Sequence, residues 1–378
     1  MDQEVKLPVV QDPQYTVKEV ASAIRRWAVS RRLQEILPDN IEQQFLEGDL
    51  SIDITLEAEN IIRQRGLNSI SYDPNGRTIF LYTKRKVIQR EIKVLPGYMY
   101  GCSILYPQGK IDDIGECVTQ AQSSPARVLS MPNGSKIYTC GSSISPGNEA
   151  SAGTLGCLVK DSQGVIFGLS NNHVTGACSH SPANLPIVAP GILDVSAGGI
   201  DPFTIGYHVR VLEFVTGTVG NADILNNTDA AIFKIRDSGA VSSSQGGFYD
   251  TPAIVAAPAE GMVVEKVGRT TGRTKGKVVG RDLMPVIVNA SSERWGFKAC
   301  VFFFNVYTIH GSFDAFSDAG DSGSLVVSVD DKGQRKAVGL IFAGGGDSLA
   351  PGGKKSLMLP LNTILDKFSV DLVSNHNV

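Results

Sequence analysis

Ser322 stands in the run Gly320-Asp321-Ser322-Gly323-Ser324, just ahead of the apolar stretch Leu325-Val326-Val327. A serine hydroxyl alone is a weak nucleophile. It needs a base to take its proton and donors for the oxyanion that forms. Glycines on both sides permit a tight turn in which the N–H groups of Gly320 and Ser322 face one point. The same short pattern also fits an ordinary turn, so the chemistry stands only if partners exist elsewhere. The base must come from five histidines. His173, in Leu169-Ser170-Asn171-Asn172-His173-Val174-Thr175-Gly176, lies between a strand-like run and a turn, the position of a rim residue. His180 falls in a polar loop, His208 and His310 in strand-like runs that suit structural histidines, and His376 near a frayed end. The candidate acid is Asp229 in Asn227-Thr228-Asp229-Ala230-Ala231-Ile232-Phe233, leading into a buried strand, with Asp223 as the alternative. A carboxylate held there can fix an imidazole tautomer and stabilise the imidazolium.

The order His173, Asp229, Ser322 matches one of the known chain orders of such a relay. Other hydrolase patterns fit less well. Lipases and esterases of the Gly-Asp-Ser type want an early serine and a late Asp-x-x-His, whereas Ser322 is late and only His376 follows it. The elbow Gly-x-Ser-x-Gly fails because position 324 is serine. Six cysteines are spread without a Cys-x-x-Cys pair, so reduced thiols are expected, with neither a zinc site nor any other metal or cofactor.

The elements that must position these groups divide the chain. Thr16-Val17-Lys18-Glu19 is a capping-box pattern, and Val17, Val20, Ala21, Ile24, Trp27 and Ala28 form one helical stripe expected to end by Pro38. A second helix is expected over 56–65, closed by Gly66. Ile70–Tyr72 and Thr78–Tyr82 flank the turn Asp73-Pro74-Asn75-Gly76. Residues 1–100 therefore read as a small α+β module and 101–140 as a connector. From 141 onward, short strands alternate with Gly, Asn and Asp turns: 154–159, 165–169, 230–235, 262–267, 300–306, 325–329 and 337–342. That spacing argues for all-β barrels or sandwiches. Leu361, Ile364, Leu365 and Phe368 return to a helical stripe.

Composition sets outer bounds. Of 378 residues, 42% are hydrophobic, enough for a sizeable core, and 35 basic against 38 acidic side chains leave no global field for nucleic acid or acidic lipid. The longest apolar stretch, 299–309, is about half a membrane span. The leading MDQEVKLPVV has no basic-then-apolar character, so a cytoplasmic location is expected, with no membrane partner.

Over residues 141–378 the chain resembles trypsin-like serine proteases of the chymotrypsin fold. Gly320-Asp321-Ser322-Gly323 resembles their nucleophile loop, Asn172-His173-Val174 the bacterial form of their histidine loop, and Asp229-Ala230-Ala231 their aspartate strand. Ala152-Gly153-Thr154-Leu155-Gly156, Val267-Gly268-Arg269-Thr270-Thr271-Gly272 and Val338-Gly339-Leu340-Ile341-Phe342-Ala343-Gly344 are similar to the intracellular bacterial branch that resembles the plant narrow-leaf proteases. The resemblance implies a mostly β, two-barrel protease domain after the α+β module, the first barrel at about 141–245 and the second at about 250–370. It implies a serine endopeptidase acting on protein substrates, with His173, Asp229 and Ser322 as the relay and the Gly320 and Ser322 amides as oxyanion donors. A specificity pocket lined by Phe316 and by Ala343, Gly344 and Gly345 follows from the same carry-over, with Asp314, Asp318 and Asp347 close enough in sequence to reach it. Regulation by the N-terminal module or a protein partner is expected, in the setting of anti-phage defence or signalling. An inactive binding protein on a protease scaffold is the alternative.

Overall fold

The computed structural model describes residues 14–115, 128–130, 136–195, 203–217 and 226–378. Cys117 and Asp223 lie outside these residues. The N-terminal elements are α1 (Val17–Ser30), α2 (Leu56–Arg65), β1 (Leu67–Asp73), β2 (Thr78–Thr83) and β3 (Cys102–Leu105). Thr16 caps α1 as expected, with the Glu19 amide donating to Thr16 Oγ1 at 3.1 Å and the Thr16 amide donating back to Glu19 at 2.7 Å. The helix ends at Ser30, well before Pro38, because the apolar stripe ends at Ala28 and Arg31 to Leu33 form a turn. Its buried face packs with Ile62, Ile70, Ile79 and Leu81 in one cluster. Burial of each such side chain stabilises the fold by about 1.5–3 kcal/mol.

The first half of the region from residue 143 onward is a curled, open sheet. It contains β4 (Ser143–Pro146), β5 (Cys157–Lys160), β6 (Ile166–Ser170), the one-turn helix α3 (Asn172–Thr175), β7 (Pro186–Ala189), β8 (Phe203–Val211) and β9 (Ala231–Ile235). These strands pair in the order β5-β6-β9-β8-β7-β4. The run expected at 154–159 is two short strands, because Leu155 and Gly156 leave the ladder between them.

The second half closes. Its strands are β10 (Val263–Gly268), β11 (Gly272–Asp282), the hairpin β12 (Val286–Ser292) and β13 (Phe297–Phe303), β14 (Tyr307–Gly311), β15 (Leu325–Val329), β16 (Arg335–Gly346) and β17 (Lys354–Pro360), followed by α4 (Leu361–Phe368). Six of them pair in the order β10-β15-β16-β17-β14-β11, and β11 returns to β10 to shut the ring. Alternate residues point inward, so Val264, Val278, Ile309, Val326, Ile341 and Met358 fill the barrel. A separate cluster joins the halves: Val159, Leu169 and Ile232 meet Val327, Leu340, Phe342 and the α4 stripe. The protein is thus mostly β, with a closed barrel and a curled half-barrel meeting along one seam. β1 also pairs with β11, at Ser71↔Asp282 and Tyr72↔Arg281, so the N-terminal strands continue the barrel sheet.

The five described cysteines are free thiols. Among the described residues no helix is long and apolar enough to cross a membrane. His208 on β8 is 3% exposed, and its Nδ1 has no hydrogen-bond partner among the described residues. Burial pushes its pKa down from 6.5 to about 4. The unfolded chain therefore takes a proton first, and stability falls as pH drops from 6.5 towards 4. His208→Gln is expected to lose about 2 kcal/mol less stability than the parent on acidification across that window, read by urea denaturation. Equal acid sensitivity of the two proteins would show that His208 has no part in it.

Candidate active site

The seam between the two halves brings the three sequence candidates to one place. The α3 turn follows β6 and presents His173, while Asp229 sits two residues before β9, the strand paired with β6. That pairing is why residues far apart in the chain are neighbours. Asp229 is fully buried and spends both carboxylate oxygens on the same residue. The backbone N–H of His173 donates to Oδ1 at 3.0 Å, and His173 Nδ1 lies 2.5 Å from Oδ2. Asn171 Nδ2 donates to the Asp229 carbonyl at 2.7 Å, which fixes the backbone there. A carboxylate on Nδ1 selects the tautomer that leaves Nε2 as acceptor. His173 is 4% exposed, so it is not the open rim residue its position between strand and turn implied. It forms one wall of a cavity of about 180 Å³ that Gly320 and Ser322 also line. Among the described residues no hydrogen bond joins Ser322 Oγ to His173. Such contacts are often long before substrate binds and tighten in the complex.

The Gly320–Ser322 loop is held by its carbonyls. Ala319 O accepts from Thr270 Oγ1 at 2.6 Å, and Asp321 O accepts from Ser324 Oγ at 2.6 Å and the Ser324 amide at 3.0 Å. In a trans peptide the N–H points opposite to the C=O. The N–H groups of Gly320 and Ser322 are therefore directed away from those anchors, and among the described residues neither has an acceptor. Gly320 takes φ +93°, a conformation side chains resist, and an added Cβ would lie 2.5 Å from Arg269 Nη1. Thr154 braces the loop from the first half: its N–H donates to Ser322 O at 2.9 Å and its hydroxyl to Gly320 O at 2.8 Å.

Below the loop lies a charge that sequence reasoning missed. Asp321 is fully buried and ion-pairs with Lys266 Nζ on β10 at 3.1 Å, both side chains being closed to solvent. It also accepts from the Thr270 amide at 2.7 Å, Thr271 Oγ1 at 2.6 Å and the Asp318 amide at 3.0 Å. Burial pushes its carboxyl up, but the Lys266 charge and these hydrogen bonds outweigh it and hold the group below the usual carboxylate range. A lysine inside a strand is the available signal, and it gains meaning only once that strand faces Asp321. Arg269 makes a second buried pair with Asp194, donating from Nε at 2.8 Å.

The expected specificity residues divide. Ala343, Gly344 and Gly345 on β16 line the cavity. Phe316 does not. Its ring is fully buried among Val264, Val278 and Ile309 inside the barrel, where apolar area is better removed from water, and the cavity wall begins at Ser317. Of the three nearby carboxylates, Asp318 reaches the cavity and pairs with Lys354 at 2.7 Å. Asp347 is committed to Tyr82 and His310, each at 2.8 Å, and Asp314 caps the Ala315 amide. Among the described residues no cluster of three or more His, Cys, Asp or Glu could hold a metal ion.

Removing the Lys266 charge strands a buried carboxylate. Lys266→Met is expected to cost about 3–5 kcal/mol in chemical denaturation. Adding Asp321→Asn should return much of that loss, since the double variant buries no lone charge. Additive losses would mean that the two groups do not interact.

No protein-family profile matches the chain, and no curated protein matches it. The solved structures to which the chain is similar include serine proteases. Protease A of Thermobifida fusca is 16% identical with a TM-score of 0.40, over 63% of this chain and 98% of that one. A glutamic-acid-specific serine protease is 20% identical with a TM-score of 0.41, over 62% and 100%. The chymotrypsin of Cellulomonas bogoriensis is 15% identical with a TM-score of 0.38, over 63% and 98%.

Proposed function

We propose that the protein is a serine endopeptidase working through an acyl-enzyme. The observation that supports this reading is that His173, Gly320 and Ser322 line one cavity, that buried Asp229 sits on His173 Nδ1, and that among the described residues the Gly320 and Ser322 amides have no acceptor. His173 Nε2 takes the Ser322 proton as Oγ attacks a peptide carbonyl carbon. The oxyanion is received by the Gly320 and Ser322 amides. As the C–N bond breaks, His173 returns the proton to the leaving amine, and an ester to Ser322 remains. Water then attacks that ester, giving up its proton to His173, and the carboxylate product leaves as Ser322 regains its hydrogen. Asp229 stays ionised and stabilises the imidazolium. Ala343, Gly344 and Gly345 present backbone to the substrate, and the relay needs neither metal nor cofactor.

Ser322→Ala is expected to lower turnover roughly 10⁶-fold and to abolish labelling by a fluorophosphonate probe. Asp229→Asn should lower turnover about 10⁴-fold by stabilising the wrong tautomer. Labelling that survives in Ser322→Ala would remove Ser322 as nucleophile. A harmless Asp229→Asn beside a damaging Asp223→Asn would move the acid to Asp223. A folded wild type that never takes the probe would favour a binding protein on this scaffold.

A further inference from the structure

One strand in the cavity wall comes from neither half-barrel. Residues Gly109–Gly115 pass beside the glycine-rich end of β16. The Lys110 amide donates to Gly346 O at 3.2 Å, and the Asp112 amide donates to Gly344 O at 2.9 Å. Gly109 bridges Asp347 in antiparallel sense. The other flank of β16 is taken by β17, with Gly344↔Ser356 and Gly346↔Lys354. Residues 109–112 thus fill the one remaining edge. The approach is close: an added Cβ at Gly345 would lie 2.0 Å from the Lys110 carbonyl oxygen. Lys110, Asp112 and Asp113 expose their side chains, so the backbone makes this attachment. After Asp112 the chain turns onto β12. Ile114 N donates to Asn289 O at 2.8 Å, and the Ile114 side chain is buried in the core. Asp112 to Gly115 then line the same cavity as His173, Gly320 and Ser322.

An extended polypeptide binds a sheet edge by adding a strand. Its main-chain groups supply affinity and its alternate side chains supply specificity. Donors two residues apart meeting acceptors two residues apart, in antiparallel sense, form the pattern such a peptide needs, and one edge holds one strand. We propose that Lys110–Asp112 is a pseudo-substrate strand: it occupies the peptide-binding edge of the cleft, and an extended substrate must displace it. The proposal rests on the endopeptidase reading and adds its regulation. The N-terminal module holds one end of the strand, since the Thr83 amide donates to Pro107 O at 2.8 Å and the Gly109 amide to Thr83 O at 3.1 Å. Buried Ile114 holds the other. The turn after Asp112 carries the next peptide bonds off β16 and onto β12, which keeps the strand resident without extending it along the edge. Movement of β2 by a partner would pull directly on Gly109.

Proline removes the N–H and with it the edge contact, whereas alanine keeps it. Lys110→Pro/Asp112→Pro in the full chain is expected to raise turnover of fluorescein-labelled casein by about tenfold, the loss of two backbone hydrogen bonds. Labelling of Ser322 by diisopropyl fluorophosphate, too small to need the edge, should stay unchanged. Lys110→Ala/Asp112→Ala should behave as wild type in both assays. Casein turnover at or below the wild-type rate in a proline variant that still labels would overturn the proposal. Hydrogen exchange on the wild-type chain gives a second test that does not depend on the variant folding. The Lys110 and Asp112 amides should be protected, lose protection on reaction with a peptidyl diphenyl phosphonate, and keep it with diisopropyl fluorophosphate. Protection that survives both reagents also overturns it. Absence of Ser322 labelling in every protein would remove the hydrolase reading itself, a different result from labelled enzyme with unaltered casein turnover.

Discussion

The Gly320–Ser322 loop depends on a charge pair that never meets solvent. Asp321 is closed to solvent beside the turn between β10 and β11, and its carboxylate gathers Lys266, Thr270, Thr271 and the Asp318 amide around itself. A lone carboxylate could not stay ionised there. With Lys266 at 3.1 Å it can, and the residues on either side of Asp321 inherit a fixed backbone. The Gly320–Ser322 backbone owes its position to that fixation. Thr154, reaching across from the other half, adds two hydrogen bonds and couples the loop to the side that carries His173 and Asp229.

The site is therefore built from two kinds of constraint. Between β6 and β9 it is sheet register, which places the residue just after one strand beside the residue just before its neighbour. Around Ser322 it is buried electrostatics, which holds a turn that no ladder supports. Each half contributes what the other lacks, and one apolar cluster joins them.

Much of this could be read from the chain because it is written in short contiguous strings. Gly320-Asp321-Ser322-Gly323 and Asn171-Asn172-His173 carry their own turn chemistry, and α1 and α4 announce themselves by apolar spacing. What escaped was non-local. Lys266 lies 55 positions from Asp321, and a lysine in a strand normally reads as an outward-facing residue. The family resemblance puts Phe316 in the pocket, but side-chain direction decides, and its ring turns into the barrel. The strand at 272–282 is rich in glycine, arginine and lysine, which masks its alternation. Gly109 to Asp113 read as plain connector, since backbone pairing of exposed polar residues leaves no mark on composition.

The join between β1 and β11 gives the molecule an unusual mechanical character. Two modules tied by a tether can separate freely, whereas here β1, β2 and β3 are stitched into the same sheet as the barrel. Trimming them away would bare the flank of β11 near Arg281 and Asp282, a raw margin prone to recruit strands from other molecules. The leading segment thus serves as hem to the barrel, and any signal reaching it arrives through main-chain ladders instead of a slack leash.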